Sequence, residues 1–308
     1  MAGPVVVASV LLLLLSTAHA SAVDSLLAEP SCVDYLKLRC ANAGTAAVSK
    51  LDILECIQLY EDSDFSGNCP KAIWTHLKKF MAKENLRAVL WPKCRYEIEK
   101  LNCERDKNWF GCIVDKKQSI RNNDCLHLIM RIENIAFSDF RLITNFSNSC
   151  QDDIKKFHCY NTSITDTLYR GRVLECLQSN IDKLSPKQCL PLVYKLSEWQ
   201  ADNIKFDYSL HMACLKDKEK LCADIPTGSG LVYNCLAGHI GSGQMSLPCQ
   251  NQLWRREKLI SGNIRVSKGL TRACREDIRT YRCRRLVSDD KDVRLAQLLL
   301  CLENAIHN

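Results

Sequence analysis

Apolar residues in this chain recur at fixed offsets from cysteine, and the offsets are helical. In the segments opened by Cys94, Cys150 and Cys274 they stand four and seven places further on, as Ile98 and Leu101, Ile154 and Phe157, and Ile278 and Tyr281. Steps of three and four residues share one helical face. Acids three places after the cysteine, at Glu97, Asp153, Asp217 and Asp277, are expected on a solvated face, where they oppose the positive end of the helix dipole. A second helix is expected around Cys56, Cys112, Cys176, Cys235 and Cys301, each embedded in an apolar run such as Ile53 to Ile57 or Val173 to Leu177. A third pattern opens at the next cysteine, with Ile73 and Leu77, Ile129 and Ile132, or Val193 and Leu196 on its apolar side. That helix is expected to run on toward the cysteine that begins the following set.

The cysteines repeat with the helices. The sets are Cys32, Cys40, Cys56 and Cys69; Cys94, Cys103, Cys112 and Cys125; Cys150, Cys159, Cys176 and Cys189; and Cys214, Cys222, Cys235 and Cys249. A fifth set has Cys274, Cys283 and Cys301. The first gap is 8 or 9 residues, the third is 13 or 14, and the middle one varies from 9 to 18. Two constant distances around a variable one describe two rigid elements and a loop, repeated about every 60 residues. The fold class expected is all-α, a tandem array of small disulfide-stapled helical repeats. The divisions expected are a signal peptide at 1–20 and repeats at 21–80, 81–137, 138–200, 201–260 and 261–308, the last one truncated. Modules this small bury little area and profit from covalent staples.

Helix geometry narrows the pairing. Eight or nine helical residues separate the first two cysteines by ~12–13 Å, beyond the ~7 Å that a disulfide spans. In an antiparallel hairpin the second cysteine faces the third, and the first lies near the fourth. The favoured bonds are thus Cys32–Cys69, Cys40–Cys56, Cys94–Cys125, Cys103–Cys112, Cys150–Cys189, Cys159–Cys176, Cys214–Cys249, Cys222–Cys235 and Cys283–Cys301. First-to-third with second-to-fourth stays open as the alternative. Cys274 is left unpaired. Its partner by period would fall a few residues past Asn308, as expected of a fragment or a short isoform.

Disulfides need an oxidising compartment. The run Val5 to Leu15, followed by Ala18-His19-Ala20, has the form of a secretory signal. No later stretch reaches the ~18 apolar residues of a membrane helix, so the chain as written is expected to be lumenal or secreted. Sequons at Asn145 and Asn161 make both candidate glycosylation sites.

Motifs for catalysis are missing: there is no H-E-x-x-H, no G-x-S-x-G and no C-x-x-C, and the cysteine gaps do not suit zinc. No catalytic residue, cofactor or metal is expected. His158 reads as a helix-end residue, and Gly238 to Gly243 as a connection and not a phosphate loop, since the Lys-Ser/Thr ending is absent. The formal net charge is +7, concentrated after residue 254. Arg272, Arg275, Arg279 and Arg282 would stripe one helical face, with Arg255, Arg256, Lys258, Arg265, Lys268, Arg284 and Arg285 adding charge. Such a surface would attract sulfated glycans or an acidic partner. Nucleic acid is excluded by compartment. Trp74, Trp91, Trp109, Trp199 and Trp254 mostly fall on core positions, with one or two left for a partner.

The stretch Phe137 to Ile143, leading to Cys150-Gln-Asp-Asp-Ile154 and Cys159, resembles the repeats of the cysteine-rich fibroblast growth factor receptor and E-selectin ligand family. Val173 to Leu177 is similarly typical, and the resemblance covers about residues 30–308. It implies a non-enzymatic lumenal binding protein of the Golgi and secretory pathway. Fibroblast growth factors or other secreted glycoproteins would be its ligands, and their traffic its output. It also implies long type I membrane proteins with many more repeats and a C-terminal span; this chain shows four and a half repeats and no span. The alternative is a saposin-like lipid-binding module, which typically carries six cysteines in about 80 residues and fits the spacing less well.

Overall fold

The computed structural model of the chain describes residues 30–40, 49–60, 64–160, 171–283, 297–298 and 300–304, with the side chains of 31, 268, 269 and 272 left out. The expected signal peptide therefore lies outside the described residues. Among those that are described, every regular element is helical.

Three helices recur in each full repeat. The first is α1 (Pro30–Arg39), then α2 (Lys50–Ile57) and α3 (Cys69–Phe80). The second repeat has α4 (Lys83–Leu101), α5 (Trp109–Lys116) and α6 (Asn123–Ala136). The third has α7 (Phe146–Lys156), α8 (Arg172–Ser179) and α9 (Cys189–Gln200). The fourth has α10 (Tyr208–Leu221), α11 (Leu231–Ala237) and α12 (Leu247–Gly262). In the fifth, α13 (Lys268–Ala273) and α14 (Arg275–Thr280) precede helical residues 300–304. By packing, the chain separates into two compact units, one of residues 1–92 with 163–168 and one of residues 93–162 with 169–308. The five repeat divisions of the sequence stand beside this as a proposed partition.

Local chemistry sets the helix starts. Ser49 and Asp52 form a reciprocal capping box, with the Ser49 amide donating to Asp52 Oδ2 at 2.8 Å and the Asp52 amide to Ser49 Oγ at 3.2 Å. Asn122 caps α6 and Ser246 caps α12, accepting from the amides of Cys125 and Cys249 at 3.0 and 3.4 Å. Both caps sit three residues before the cysteine, so the disulfide is planted in the first turn.

The third helix does not run on into the next repeat. After α6, α9 and α12 the chain makes a single 3₁₀ turn, at Phe140–Leu142, Ile204–Phe206 and Ile264–Val266. The cause is an Asp or Asn just ahead of each. Asp139, Asn203 and Asn263 accept the amide two residues on, at 3.0, 3.1 and 3.1 Å. That local bond competes with the helical ladder. Each turn then buries an apolar residue, Phe140, Phe206 or Val266, so the joint is part of the core.

Each core forms around the disulfides. In the fourth repeat Leu210, Cys214, Val232, Leu236, Cys249 and Leu253 pack together with almost no exposure. His211 packs at the start of α10, where burial, then Lys205 and Lys218, push its imidazole down to about 4, against a lesser opposing pull from Asp207. The unfolded chain binds this proton near pH 6.5 and the folded chain does not, so the stabilisation is complete above 6.5 and is lost as pH falls toward 4. At 1.36 kcal/mol per pH unit the loss is about 3 kcal/mol. Thermal melts between pH 7 and 4 should show it as an acid limb that His211→Gln flattens.

Candidate functional site

The sulfurs are paired from the outside inward in the structure. First and fourth cysteines have Cα atoms 4.9, 5.0, 4.6 and 4.6 Å apart in repeats one to four. Second and third lie 6.0, 5.7, 5.5, 6.2 and 5.7 Å apart in repeats one to five. Cys274 is free and half-buried.

Beside each outer disulfide of repeats two to four sits a buried carboxylate. Glu97, Asp153 and Asp217 are 7, 3 and 6 % exposed, so the solvated face expected from the sequence is corrected here. Each reaches from the first helix to the start of the third. Glu97 accepts from the Asn122 amide at 3.3 Å, and Asp153 from the Ser185 amide at 3.1 Å. Asp217 accepts from the Ser246 amide at 3.0 Å and from its hydroxyl at 2.5 Å. The carboxylate meets free amides and the positive dipole end, so burial is compensated. Disulfide and carboxylate together clamp the third helix onto the first. In repeat one the equivalent position is Tyr35, which packs on Tyr60 and Phe65 instead.

Repeats two and three, and repeats three and four, meet along a polar seam in which the second helix of one faces the third helix of the next. Asp115 of α5 takes Lys195 of α9 at 2.6 Å and the Trp199 indole at 2.7 Å. One repeat further, Arg255 of α12 donates to Gln178 Oε1 of α8, and Gln252 to Glu175 at 2.5 Å. Lys195 and Arg255 occupy the same place, six residues after the fourth cysteine. Arg255 also binds both oxygens of Asp207 at 2.8 Å, with the two side chains 5 and 4 % exposed. Gln178 passes the network on to Ser197 and Gln200 at 2.9 and 3.0 Å. Arg256 donates to the Val266 carbonyl at 2.7 Å and lies 3.9 Å over the Tyr233 ring.

A second buried cluster joins Lys117 to Glu133 at 2.8 Å and to Asp202 at 3.2 Å. Burial works against the ammonium, but the two carboxylates outweigh it and hold Lys117 above the ordinary lysine value. The cluster borders a cavity of about 530 Å³ whose other walls include Met130, Ser229, Thr271 and Arg275.

The basic residues do not form the single helical stripe expected. The helix breaks at Cys274, leaving Arg275 and Arg279 exposed on α14. Arg282 lies beyond its end with φ 54°, and the Arg272 side chain lies outside the described residues, as do Arg284 and Arg285. Arg255 and Arg256 are interior, so their charge serves the seam and not the surface. Asn145 is exposed at the start of α7 with φ 63°, while Asn161 lies outside the described residues. Trp109 is buried and Trp254 is 57 % exposed. His158 is exposed with φ 51°. Cys222, Cys235 and His239 come together, but both sulfurs belong to one disulfide and are spent as metal ligands. Sequence reasoning passed over the joints Asp139, Asn203 and Asn263 and the seam residues Gln178 and Asp207. The signal available was recurrence: an Asp or Asn two residues before Lys or Arg at every joint. Among the described residues, no helix is long and apolar enough to cross a membrane.

The chain matches a family model described as a cysteine rich repeat, of the cysteine-rich FGFR type, three times, at residues 123–185, 187–244 and 247–308. It is 28 % identical to Golgi apparatus protein 1 of Homo sapiens over 278 residues, 84 % of this chain and 24 % of that protein. Identity to Golgi apparatus protein 1 of Gallus gallus is 29 % over the same coverage. The Golgi apparatus protein 1 homolog of Caenorhabditis elegans is 28 % identical over 305 residues, 89 % of this chain and 26 % of that protein. The chain thus spans about a quarter of the length of the curated relatives it matches. No solved structure matches it significantly. The matched repeats start at the third helix, not the first, so Cys159–Cys176 and Cys222–Cys235 close within a repeat, while Cys150–Cys189 and Cys214–Cys249 bridge one to the next. With the three matches covering more than half of its residues, the chain belongs to the cysteine-rich FGFR family of cysteine rich repeats.

Proposed function

We propose that this chain is a non-enzymatic binding segment of a Golgi and secretory-pathway protein, and that it holds fibroblast growth factors or other secreted glycoproteins during their traffic. The observation that carries the reading is the covalent continuity of the array. Bridges at Cys150–Cys189 and Cys214–Cys249 tie each matched repeat to its neighbour, so successive surfaces keep a set spacing. Repeated surfaces on one scaffold multiply weak contacts by effective concentration. The relatives carry the Golgi apparatus in their name, and every described cysteine except Cys274 is paired, as suits an oxidising lumen. Exposed Arg275 and Arg279, with exposed Trp254, are the candidate contacts for an acidic or sulfated partner. The segment 1–20 acts as the signal, and Asn145 and Asn161 carry glycans, each a mass removable by peptide N-glycosidase.

The test is surface plasmon resonance on immobilised residues 21–308. Fibroblast growth factors, other secreted glycoproteins, heparin and anionic liposomes are titrated in turn. Saturable binding of a secreted protein, weakened by Arg275→Ala with Arg279→Ala, is the expected result. Binding to liposomes alone would favour the lipid-binding alternative, and silence toward every protein would remove the reading.

A further inference from the structure

The cavity beside Lys117 carries opposite charge at its two ends. Its volume, about 530 Å³, lies in the range of small-ligand sites. At the inner end one ammonium meets two carboxylates. Lys117 lies 2.8 Å from both oxygens of Glu133 and 3.2 Å from Asp202 Oδ2. Glu133 is fully buried and spends both oxygens on Lys117, so the surplus negative charge falls to Asp202, which lines the cavity with its side chain 21 % exposed. Asp202 Oδ1 accepts no hydrogen bond from any described residue. Leu126, Met130 and Leu231 make apolar sides. Arg275 stands at the outer end, exposed and without an ion pair among the described residues. One wall is set in place by backbone bonds. The Gly230 amide donates to the Asp202 carbonyl at 2.9 Å, and the Leu231 amide to the Gly228 carbonyl at 3.1 Å. Gly228 can close that turn because it has no side chain, its φ being 107°.

We propose that this cavity binds the C-terminal basic residue of a peptide chain. The cationic head of a lysine or arginine donates to Asp202 Oδ1. Its methylene stem lies along Leu126, Met130 and Leu231, as long basic side chains cover apolar surface elsewhere. The terminal carboxylate is received by the Arg275 guanidinium, which can hold it through two parallel bonds. Capture of a chain end by its carboxylate is a recurring mode of peptide recognition. The paired charges fix the occupant. A sulfated sugar satisfies Arg275 and is repelled by Asp202. An internal basic residue satisfies Asp202 and is repelled by Arg275. A free amino acid brings a second cation, its α-ammonium, toward Arg275. A choline headgroup has no N–H to give to Asp202. The inference rests on the proposed binding of secreted proteins and names the part of such a partner that this cavity holds. The two fail separately, because intact proteins held by other surfaces would still bind if the cavity took no peptide.

The test is calorimetric titration of the full chain with three probes: acetyl-Ala-Ala-Arg as the free acid, the same peptide as its amide, and acetyl-Ala-Ala-norleucine as the free acid. The arginine acid should bind saturably. The amide and the norleucine peptide should each bind about tenfold more weakly, the worth of one hydrogen bond to a charged group. Arg275→Gln should bind acid and amide alike, so that the advantage of the free carboxylate disappears. Arg275 is exposed, so this variant folds normally. Asp202→Asn should remove the preference for arginine over norleucine; if its fold is lost, the same two peptides on the parent chain decide the inner end. Lys187→Gln, which removes an exposed charge from another repeat, should leave all three affinities unchanged. No saturable binding of the arginine acid, or equal affinity for acid and amide, would overturn the proposal. So would equal affinity for arginine and norleucine, or a Lys187→Gln chain weakened as much as Arg275→Gln.

Discussion

Replacing Arg255 with methionine should destabilise the larger unit by about 3–5 kcal/mol, the cost of leaving a buried charge without its partner. Asp207 is 4 % exposed and keeps only its cap bond to the Leu210 amide when the guanidinium is gone. Gln178 Oε1 loses its donor in the same step. Methionine fills much of the volume, so the loss reports on charge and hydrogen bonding more than on a cavity. Adding Asp207→Leu should recover most of it, because a buried pair exchanged for packed apolar side chains is often neutral. The exposed pair Lys258–Asp182, with side chains 45 and 61 % exposed, is the control, and Lys258→Met should cost no more than about 1 kcal/mol. Urea unfolding followed by tryptophan fluorescence measures all three. If Arg255→Met behaves like Lys258→Met, the seam between the third and fourth repeats is not the buried network described here.

The second large effect concerns the outer bridges. Removing Cys214–Cys249 as a double alanine opens a loop of 35 residues, and removing Cys222–Cys235 opens one of 13. Loop-closure entropy assigns these about 4 and about 3 kcal/mol. The outer bridge should lose more than the entropy difference, since it also anchors the Asp217–Ser246 clamp and, through α12, the Arg255 seam. For a domain of this size about 4 kcal/mol lowers the melting temperature by about 10 °C. Calorimetry of both double variants gives the order. A larger drop for the inner pair would mean that the repeats are held by their hairpins and not by the bridges between them.

Much of this architecture is legible in the sequence, because helices announce themselves locally. Ile98 with Leu101 and Ile154 with Phe157 mark a helical face within one short window. Most features that escape such a reading depend on distant partners. Asp153 looks like a surface acid until the Ser185 amide, 32 residues on, is brought to it. Arg255 looks like part of a basic field, yet its partners Asp207 and Gln178 lie 48 and 77 residues away. Asn203 and Asn263 are hidden for the opposite reason. Their competition with the helix is settled within two residues, and a short polar side chain within an apolar pattern reads as an ordinary helical position. The arginine stripe is drawn from helical spacing alone, and the break at Cys274 disperses it.

What joins these findings is a chain of outer bridges, with a carboxylate beside those at Cys94, Cys150 and Cys214. Proteolytic mapping of the protein without reduction tests that directly. The account predicts that the Cys150 peptide is linked to the Cys189 peptide, and the Cys214 peptide to the Cys249 peptide. Recovery of Cys214 joined to Cys235, with Cys222 joined to Cys249, would contradict it, as would free thiols at these positions.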